Sequence, residues 1–424
     1  MGGIDLIAPG PSRLQLEKET LRIYEVCDGC RRCFNLCPSF ITLFDRIDAH
    51  DSDLLKLAPA DFEQVATECY FCKLCYNHCP YTPPHQYEID FPRLMIAWKQ
   101  RLAAEKGVRW RDRLLVRTDL MGKLNSLSAP LVNWVMRTPW MRTLLEKVLG
   151  VHRDRHVLAY QSETFPRWWH RRNPLKPAAP RGKVALFASC MVNYQATDVG
   201  KAAVQVLERN GVEVAVPEQQ CCGMPSFDIG DTGSIVKAAK ANLASLRSWL
   251  DAGYDVVSPV PSCSLMLKRE YPSLLPGDDA KNLSERTFDI CEYLMRLKRS
   301  GSLVTDFPHN PGRVVYQIPC HLRDQNIGFK SKDLMELTGA QVTLIERCSG
   351  HDGTWGAKVE FFDLSMKIAD KVVREIEQTP ADLVASDCPL AALQLDQAGR
   401  GAESRQPSAL HPIQIVRDAY GLQP

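Results

Sequence analysis

Two cysteine runs govern what this chain can fold into. They are Cys27-x-x-Cys30-x-x-Cys33-x-x-x-Cys37-Pro38 and Cys69-x-x-Cys72-x-x-Cys75-x-x-x-Cys79-Pro80. Each has the spacing by which a short segment holds a 4Fe-4S cube. Two intervening residues let a tight turn aim successive thiolates at one small object, giving three corners. The proline after the fourth cysteine is expected to turn the chain away. In this arrangement the fourth cysteine of each run serves the other cube. The assignment is therefore Cys27, Cys30, Cys33 and Cys79 for one cube, and Cys69, Cys72, Cys75 and Cys37 for the second. Zinc ribbons use pairs of C-x-x-C instead, and disulfides need an oxidising compartment.

The chain has 424 residues, enough for several domains with real cores, and a net charge of +2, so charge alone implies no nucleic-acid partner. Of its 16 cysteines, the two runs account for eight as metal ligands. The start, MGGIDLIAPGPSRLQLEKE, lacks a basic region followed by an apolar stretch, so no signal peptide is expected. Leu6 stands where a myristoylation motif wants Ser or Thr. No apolar run approaches a membrane span. These features read as a reducing, cytoplasmic setting.

Residues 1–24 read as a lead-in ending in a short helix. Between Cys37 and Cys69 lie 31 residues, in which Phe40, Leu43, Leu54, Leu55, Phe62 and Val65 suit a helical insert. That favours a helical ferredoxin-type domain over residues 1–95. A helix is expected from about Phe91. His85 follows the second run closely enough to tune a cluster by hydrogen bonding, or to be an ordinary capping histidine.

Residues 96–180 read as a helical connector. Over 91–183 there are 20 Lys and Arg against 6 Asp and Glu, and six of the eight tryptophans: Trp98, Trp110, Trp134, Trp140, Trp168 and Trp169. Leu120, Leu124, Leu127, Leu131 and Trp134 recur at helical spacing with a break at Pro130, and Trp140, Leu144, Leu145 and Val148 continue on a second helix. A basic, tryptophan-bearing amphipathic face suits a membrane surface or a docking partner. The alternative is a connector whose apolar face packs on its neighbours. Residues 180–183 read as a linker.

From 184 the pattern turns to α/β and occurs twice, giving expected domains at 181–305 and 306–424. The first copy has strands at Val184 to Ala188, Val212 to Val216 and Asp255 to Val260, with one helix running from Cys190 to about Asn210. A second helix carries Ile235, Ala239, Leu243, Leu246 and Leu250. The second copy has strands at Val314 to Ile318, Val342 to Ile345 and Leu383 to Ser386, with a helix through Met366, Ala369, Val372, Val373 and Ile376. Equivalent cysteines are offset by 130, 127 and 125 residues (190 to 320, 221 to 348, 263 to 388). An offset this steady across three landmarks marks an internal repeat. Loops at the carboxyl ends of parallel strands collect ligands, so Cys190, Cys221, Cys222 and Cys263 are expected to meet at one point. Cys291 reads as core.

Two ferredoxin-type runs followed by two such repeats resemble the iron–sulfur subunits of anaerobic glycerol-3-phosphate dehydrogenase, heterodisulfide reductase and glycolate oxidase. The likeness runs through CYFCKLCYNHCPYTPP, QQCCGMP, PSCSLMLKREYP, PCHLRDQNIG and RCSGHDGTWG. It implies an α+β chain with two CCG cysteine-rich domains, each able to hold a non-cubane 4Fe-4S cluster on five cysteines. Here Met266 stands in place of the fifth cysteine of the first copy. The second keeps Cys320, Cys348 and Cys388, with Ser349 and Ala391 replacing the others; His321 or His351 would have to help, or the repeat is structural. The resemblance implies an electron-transfer subunit between a flavin-dependent dehydrogenase subunit, or another redox partner, and a membrane quinone, peripheral at the inner face of the cell membrane. Disulfide reduction at a CCG-bound cluster and a non-enzymatic redox scaffold are the alternatives. No catalytic residue is assignable, and no nucleophile triad, phosphate loop or dinucleotide fingerprint occurs.

Overall fold

The computed structural model describes residues 10–351, 353–399 and 408–423. The first nine residues, on which the leader and acylation readings rest, lie outside them. Packing divides the chain into two units. The first runs to Val116 and also holds Gly223–Lys237 and Ser273–Leu275.

In the first unit, helix α1 (Arg13–Cys30) starts at a capping box: Ser12 Oγ accepts from Gln15 N at 3.3 Å and Gln15 Oε1 accepts from Ser12 N at 2.8 Å. Leu16, Thr20, Ile23 and Tyr24 form its buried stripe. The expected short lead-in helix is thus long, and its last turn carries Cys27 and Cys30. Pro38 does not turn the chain away but opens α2 (Pro38–Asp48), where its missing N–H costs nothing. Phe40, Leu43, Phe44 and Ile47 of α2 pack with Phe62, Val65 and Ala66 of α3 (Pro59–Glu68) in the core. Leu55 departs from the expected insert core; it is 83% exposed. Helix α4 (Phe91–Lys106) begins where expected, capped by Asp90. Phe91 stacks on Phe40 at 4.3 Å, and the fully buried Trp98 donates its indole N–H to Thr20 Oγ1 at 2.7 Å. The segment Gly223–Lys237 joins this unit through Phe227, edge-on to Phe71 at 5.1 Å, and through Asp228, paired with Lys99 at 2.7 Å.

In the second unit, the connector includes α5 (Thr118–Leu127), α6 (Ala129–Arg137) and α7 (Pro139–Leu149), with a further short helix at Phe165–Arg171. The first break falls at Ser128, with Pro130 inside the first turn of α6. The repeats follow. The first comprises β1 (Gly182–Leu186), α8 (Ser189–Tyr194), α9 (Thr197–Arg209), β2 (Val212–Ala215), α10 (Thr232–Asp251), β3 (Asp255–Ser258), β4 (Thr287–Asp289) and α11 (Ile290–Arg299). The second comprises β5 (Arg313–Gln317), α12 (Lys330–Leu337), β6 (Gln341–Ile345), α13 (Phe362–Glu377), β7 (Leu383–Ala385), α14 (Pro389–Ala398), β8 (Ala409–Leu410) and α15 (Pro412–Ala419).

Both sheets are parallel and share one topology, β2-β1-β3-β4 and β6-β5-β7-β8. Val184 of β1 lies between Val214 and Asp255, and Val314 of β5 between Val342 and Leu383. Covered on both faces, β1 reads as a continuous apolar run, with Val184, Ala185 and Leu186 wholly buried. The supposed linker at 180–183 already belongs to β1 from Gly182 onward. The single helix expected from Cys190 to Asn210 is two, broken at Gln195 and Ala196. Strands β4 and β8, of three and two residues, were too short to leave an alternating pattern.

The repeats meet at a buried polar cluster. Asp289 caps α11 by accepting from Cys291 N at 2.9 Å, and Cys291 is core as expected. Asp387, just past β7, accepts from Ser331 Oγ at 2.5 Å and from the Tyr316 hydroxyl. Burial, and then the neighbouring Asp387 charge, push the Asp289 carboxyl up to about 8. The unfolded chain releases that proton near 3.8, so between about pH 4 and pH 8 the folded state holds the extra proton. Rising pH then favours unfolding across this window. Anaerobic thermal melts should show the midpoint falling from pH 5 to about pH 8, and Asp289→Asn, which keeps the cap and loses the charge, should flatten the slope; parallel curves would refute the account.

Candidate functional site

In the first unit, Cys27 and Cys30 face the same way from the last turn of α1, three residues apart. They line one cavity with Cys33 and with Cys79 of the second run, walled by Phe40, Phe44 and Tyr81. Cys75 sits with Cys69 and with Cys37 of the first run. Cys79 thus reaches the first run's group, while Cys37, with Cys33, lies near Cys75 of the second run. Two matching residues bend the chain inside the runs: Arg31 after Cys30 (φ 48°) and Lys73 after Cys72 (φ 59°) are both left-handed. Arg31 is held there by its N–H to Cys27 O at 2.8 Å and by ion pairs to Asp28 and Asp48, each 2.5 Å. His85 packs its ring at 5.2 Å on Tyr81, a wall of the first group, and its Nδ1 accepts from Tyr87 N at 3.1 Å. The exchange of Cys79 carries the following segment with it.

These thiols sit where ionisation is costly. Burial, with the other thiols adding to it, pushes Cys33 up to about 11, and Cys27 and Cys75 higher still. A bound cation reverses that logic, because coordination stabilises the thiolate directly. A soft, four-sulfur donor set in an apolar cage fits iron–sulfur ligation.

In the second unit, loops after β1, β2 and β3 bring Cys190, Cys221, Cys222 and Cys263 together. Cys190 Sγ and Cys221 Sγ are 3.8 Å apart, and the Cys222 thiol lies within hydrogen-bond reach of Cys221 and Cys263. Neighbouring thiols and burial raise Cys190 and Cys222 well above the ordinary thiol range. Met266 is wholly buried in the π-turn Met266–Glu270 that follows Cys263. A polar frame fixes the Cys221–Cys222 backbone: Tyr271 donates to Cys222 O at 3.0 Å, and Asn242 donates to Tyr271 at 3.0 Å and accepts from Gln220 N at 2.8 Å. Sequence reading missed these two residues, and it also missed Asp119 of α5, whose carboxylate accepts the Cys221 N–H. Burial and the adjacent Cys221 push Asp119 up to about 6.

The three cysteines of the second repeat take the matching places after β5, β6 and β7, all half-buried. Cys348 Sγ accepts from Gly350 N at 3.3 Å, while Ser349 and Ala391 are buried. His321 is committed through Nδ1 to Ser262 Oγ at 2.8 Å. His351 keeps a buried Nδ1 with no hydrogen-bond partner, and burial and the Arg155 charge push it down to about 3, so the ring is neutral. Arg155 is itself buried, giving its donors to Gly356 O at 3.0 Å, Ser365 Oγ at 2.9 Å, Gln397 at 3.1 Å and Gln394.

Residues 184–268 and 314–396 match the family described as Cysteine-rich domain, and residues 20–105 match Citrate utilization protein B Fer4-like domain. The chain is 31% identical over 313 residues to the C subunit of anaerobic glycerol-3-phosphate dehydrogenase from Escherichia coli K12, covering 73% of this chain and 77% of that one. The chain belongs to this iron–sulfur subunit family. Lactate utilization protein A is also similar, at 34% identity in Geobacillus thermodenitrificans and 32% in Bacillus subtilis, each over 219 residues, 49% of this chain and 87% of the relative. A hypothetical protein from Helicobacter pylori aligns with TM-score 0.41 and 13% identity over 91% of this chain and 77% of its own, too distant to carry an argument. As a member of the family, the chain binds iron–sulfur clusters and is an electron-transfer subunit of an oxidoreductase.

The thiol groupings make opposite predictions for the two exchanged cysteines. After anaerobic reconstitution, Cys37→Ser should alter the paramagnetic resonance signal of the site built on Cys69, Cys72 and Cys75 and spare the other. Cys79→Ser should do the reverse. If each variant damages the site of its own run, the exchange is wrong.

Proposed function

We propose that this chain carries electrons from a flavin-dependent dehydrogenase subunit to a quinone at a membrane surface. Two 4Fe-4S cubes would be held by Cys27, Cys30, Cys33, Cys79 and by Cys69, Cys72, Cys75, Cys37, and a third cluster by Cys190, Cys221, Cys222, Cys263. Such clusters supply one-electron carriers when bound. The chain's own contribution is to hold the thiolates, keep water away with Phe40, Phe44 and the buried β-strand ends, and fix the loop backbones. The observation that carries this reading is the succession of three four-thiol groups in one polypeptide. Both relatives' names point to substrates with a secondary hydroxyl group, glycerol 3-phosphate and lactate, so the partner's reaction would be the two-electron oxidation of such an alcohol.

The outward face of the connector supports the membrane part. Leu120, Leu124, Leu127, Leu131, Trp134, Trp140, Leu144 and Val148 are 45–70% exposed, so the stripe does not pack on neighbours as the alternative reading required. Among the described residues no helix is long and apolar enough to cross a membrane, which leaves a helix lying in the interface as the matching mode. Burying one large apolar side chain contributes about 1.5–3 kcal/mol, against about 1 kcal/mol per basic residue near an anionic surface. Apolar insertion therefore dominates, and charge tunes it.

Anaerobically reconstituted protein should hold about eight irons from the cubes and about four more from the first CCG repeat. Iron saturating at a single cube's worth would end the wire reading. Co-sedimentation with anionic vesicles should weaken with salt without vanishing, and Leu124→Glu with Leu127→Glu should abolish it. Equal pelleting of that variant and the parent protein would remove the membrane part.

A further inference from the structure

Helix α5 is amphipathic in the inverted sense. Leu120, Leu124 and Leu127 face outward, and its small and polar residues face the protein. Gly122 is buried, and a Cβ there would stand 2.1 Å from the ring of Tyr194, so only glycine allows this approach. Tyr194 ends α8, the helix whose second residue is Cys190. Asn125, one turn beyond Met121, reaches the hydroxyl of Tyr160, which in turn lies by Cys190. Three positions along one helix, Asp119, Gly122 and Asn125, thus seat it on the first CCG site, and the one nearest its start is an acid.

We propose that Asp119 is a positioning residue of the first CCG centre, holding the Cys221 peptide and setting its reduction potential. This rests on the reading of Cys190, Cys221, Cys222 and Cys263 as a cluster site. The donor set fits that reading: four thiols converge, with 3.8 Å between Cys190 Sγ and Cys221 Sγ. Asp119 acts on such a centre in two ways. Its carboxylate takes the Cys221 N–H, so that this donor is not given to a sulfur. It also adds a negative charge beside Cys190 and Cys221. Fewer hydrogen bonds to sulfur and more negative charge both disfavour the extra electron, so both lower the potential. Lys123, one turn along α5, acts against the charge but is solvent-exposed.

The test is a redox titration of the reconstituted full-length protein followed by electron paramagnetic resonance, with iron content measured alongside. Asp119→Asn keeps an acceptor for the Cys221 N–H and removes the charge. At a fixed ambient potential it should raise the reduced-to-oxidised ratio of the third centre about tenfold, equivalent to about 59 mV for one electron. Asp119→Ala frees the N–H as well, so its shift should be larger in the same direction. The signals of the two cubes should stay in place in both variants. A third signal that Asp119→Asn leaves at the parental potential overturns the inference alone. A parental protein with no third signal, and iron for the cubes only, overturns the cluster reading and this inference with it.

Discussion

The rest of the structure depends on an electrostatic conflict inside the cysteine cages. The fold gathers thiols where the charged form is expensive, and each thiol makes its neighbours harder to ionise. Iron resolves the conflict, since a coordinated thiolate is stabilised by the metal's own charge. Cluster binding and folding are therefore linked: the long α1, the left-handed Arg31 and Lys73 and the loops after β2 and β3 are arranged for an occupant the polypeptide does not itself supply.

Much of this was legible from spacing alone. The two runs imposed their groupings because three thiols at fixed intervals have few ways to meet one object. The repeat was legible because its cysteines mark the ends of β1, β2, β3 and their counterparts. What escaped notice did so for physical reasons. A helix ending on Cys30 instead of before Cys27 leaves no trace in a motif that reads equally well as loop. Arg31 and Lys73 adopt positive φ in the folded state, Arg31 with hydrogen bonds and ion pairs around it, without the glycine that would advertise it. Leu55 looked like core because its neighbours were. Strands β4 and β8 are held by pairing with β3 and β7, not by any pattern of their own.

The connector left its orientation open. Its apolar period is real and helical, but periodicity reports only that two faces differ, not which one is inside. Reading the leucine stripe as the inner face makes Asp119, Gly122 and Ser126 a solvated margin. The structure reverses this, and the margin becomes the seat of the helix on the first CCG site. Gly122 was the available signal: glycine in mid-helix costs about 1 kcal/mol relative to alanine, and close packing of the helix backbone is a common reason for it.

The same region distinguishes the two repeats. Their strands, order and cysteine positions agree, yet each receives a side chain of opposite charge from the connector. The first CCG site receives the carboxylate of Asp119 from α5; the second has the guanidinium of Arg155, from just past α7, beside Gly350 and Gly356. Arg155 is buried among neutral acceptors, with no carboxylate paired to it among the described residues, and burial lowers it to about 10. An uncompensated buried cation is costly, and a guanidinium fully supplied with acceptors is the form in which a fold can retain one. With Ser349 and Ala391 in place of cysteines, two potential negative charges are missing from the same neighbourhood. The second repeat thus differs from the first in the charged side chain it receives as well as in its number of thiols, and both side chains come from outside either repeat.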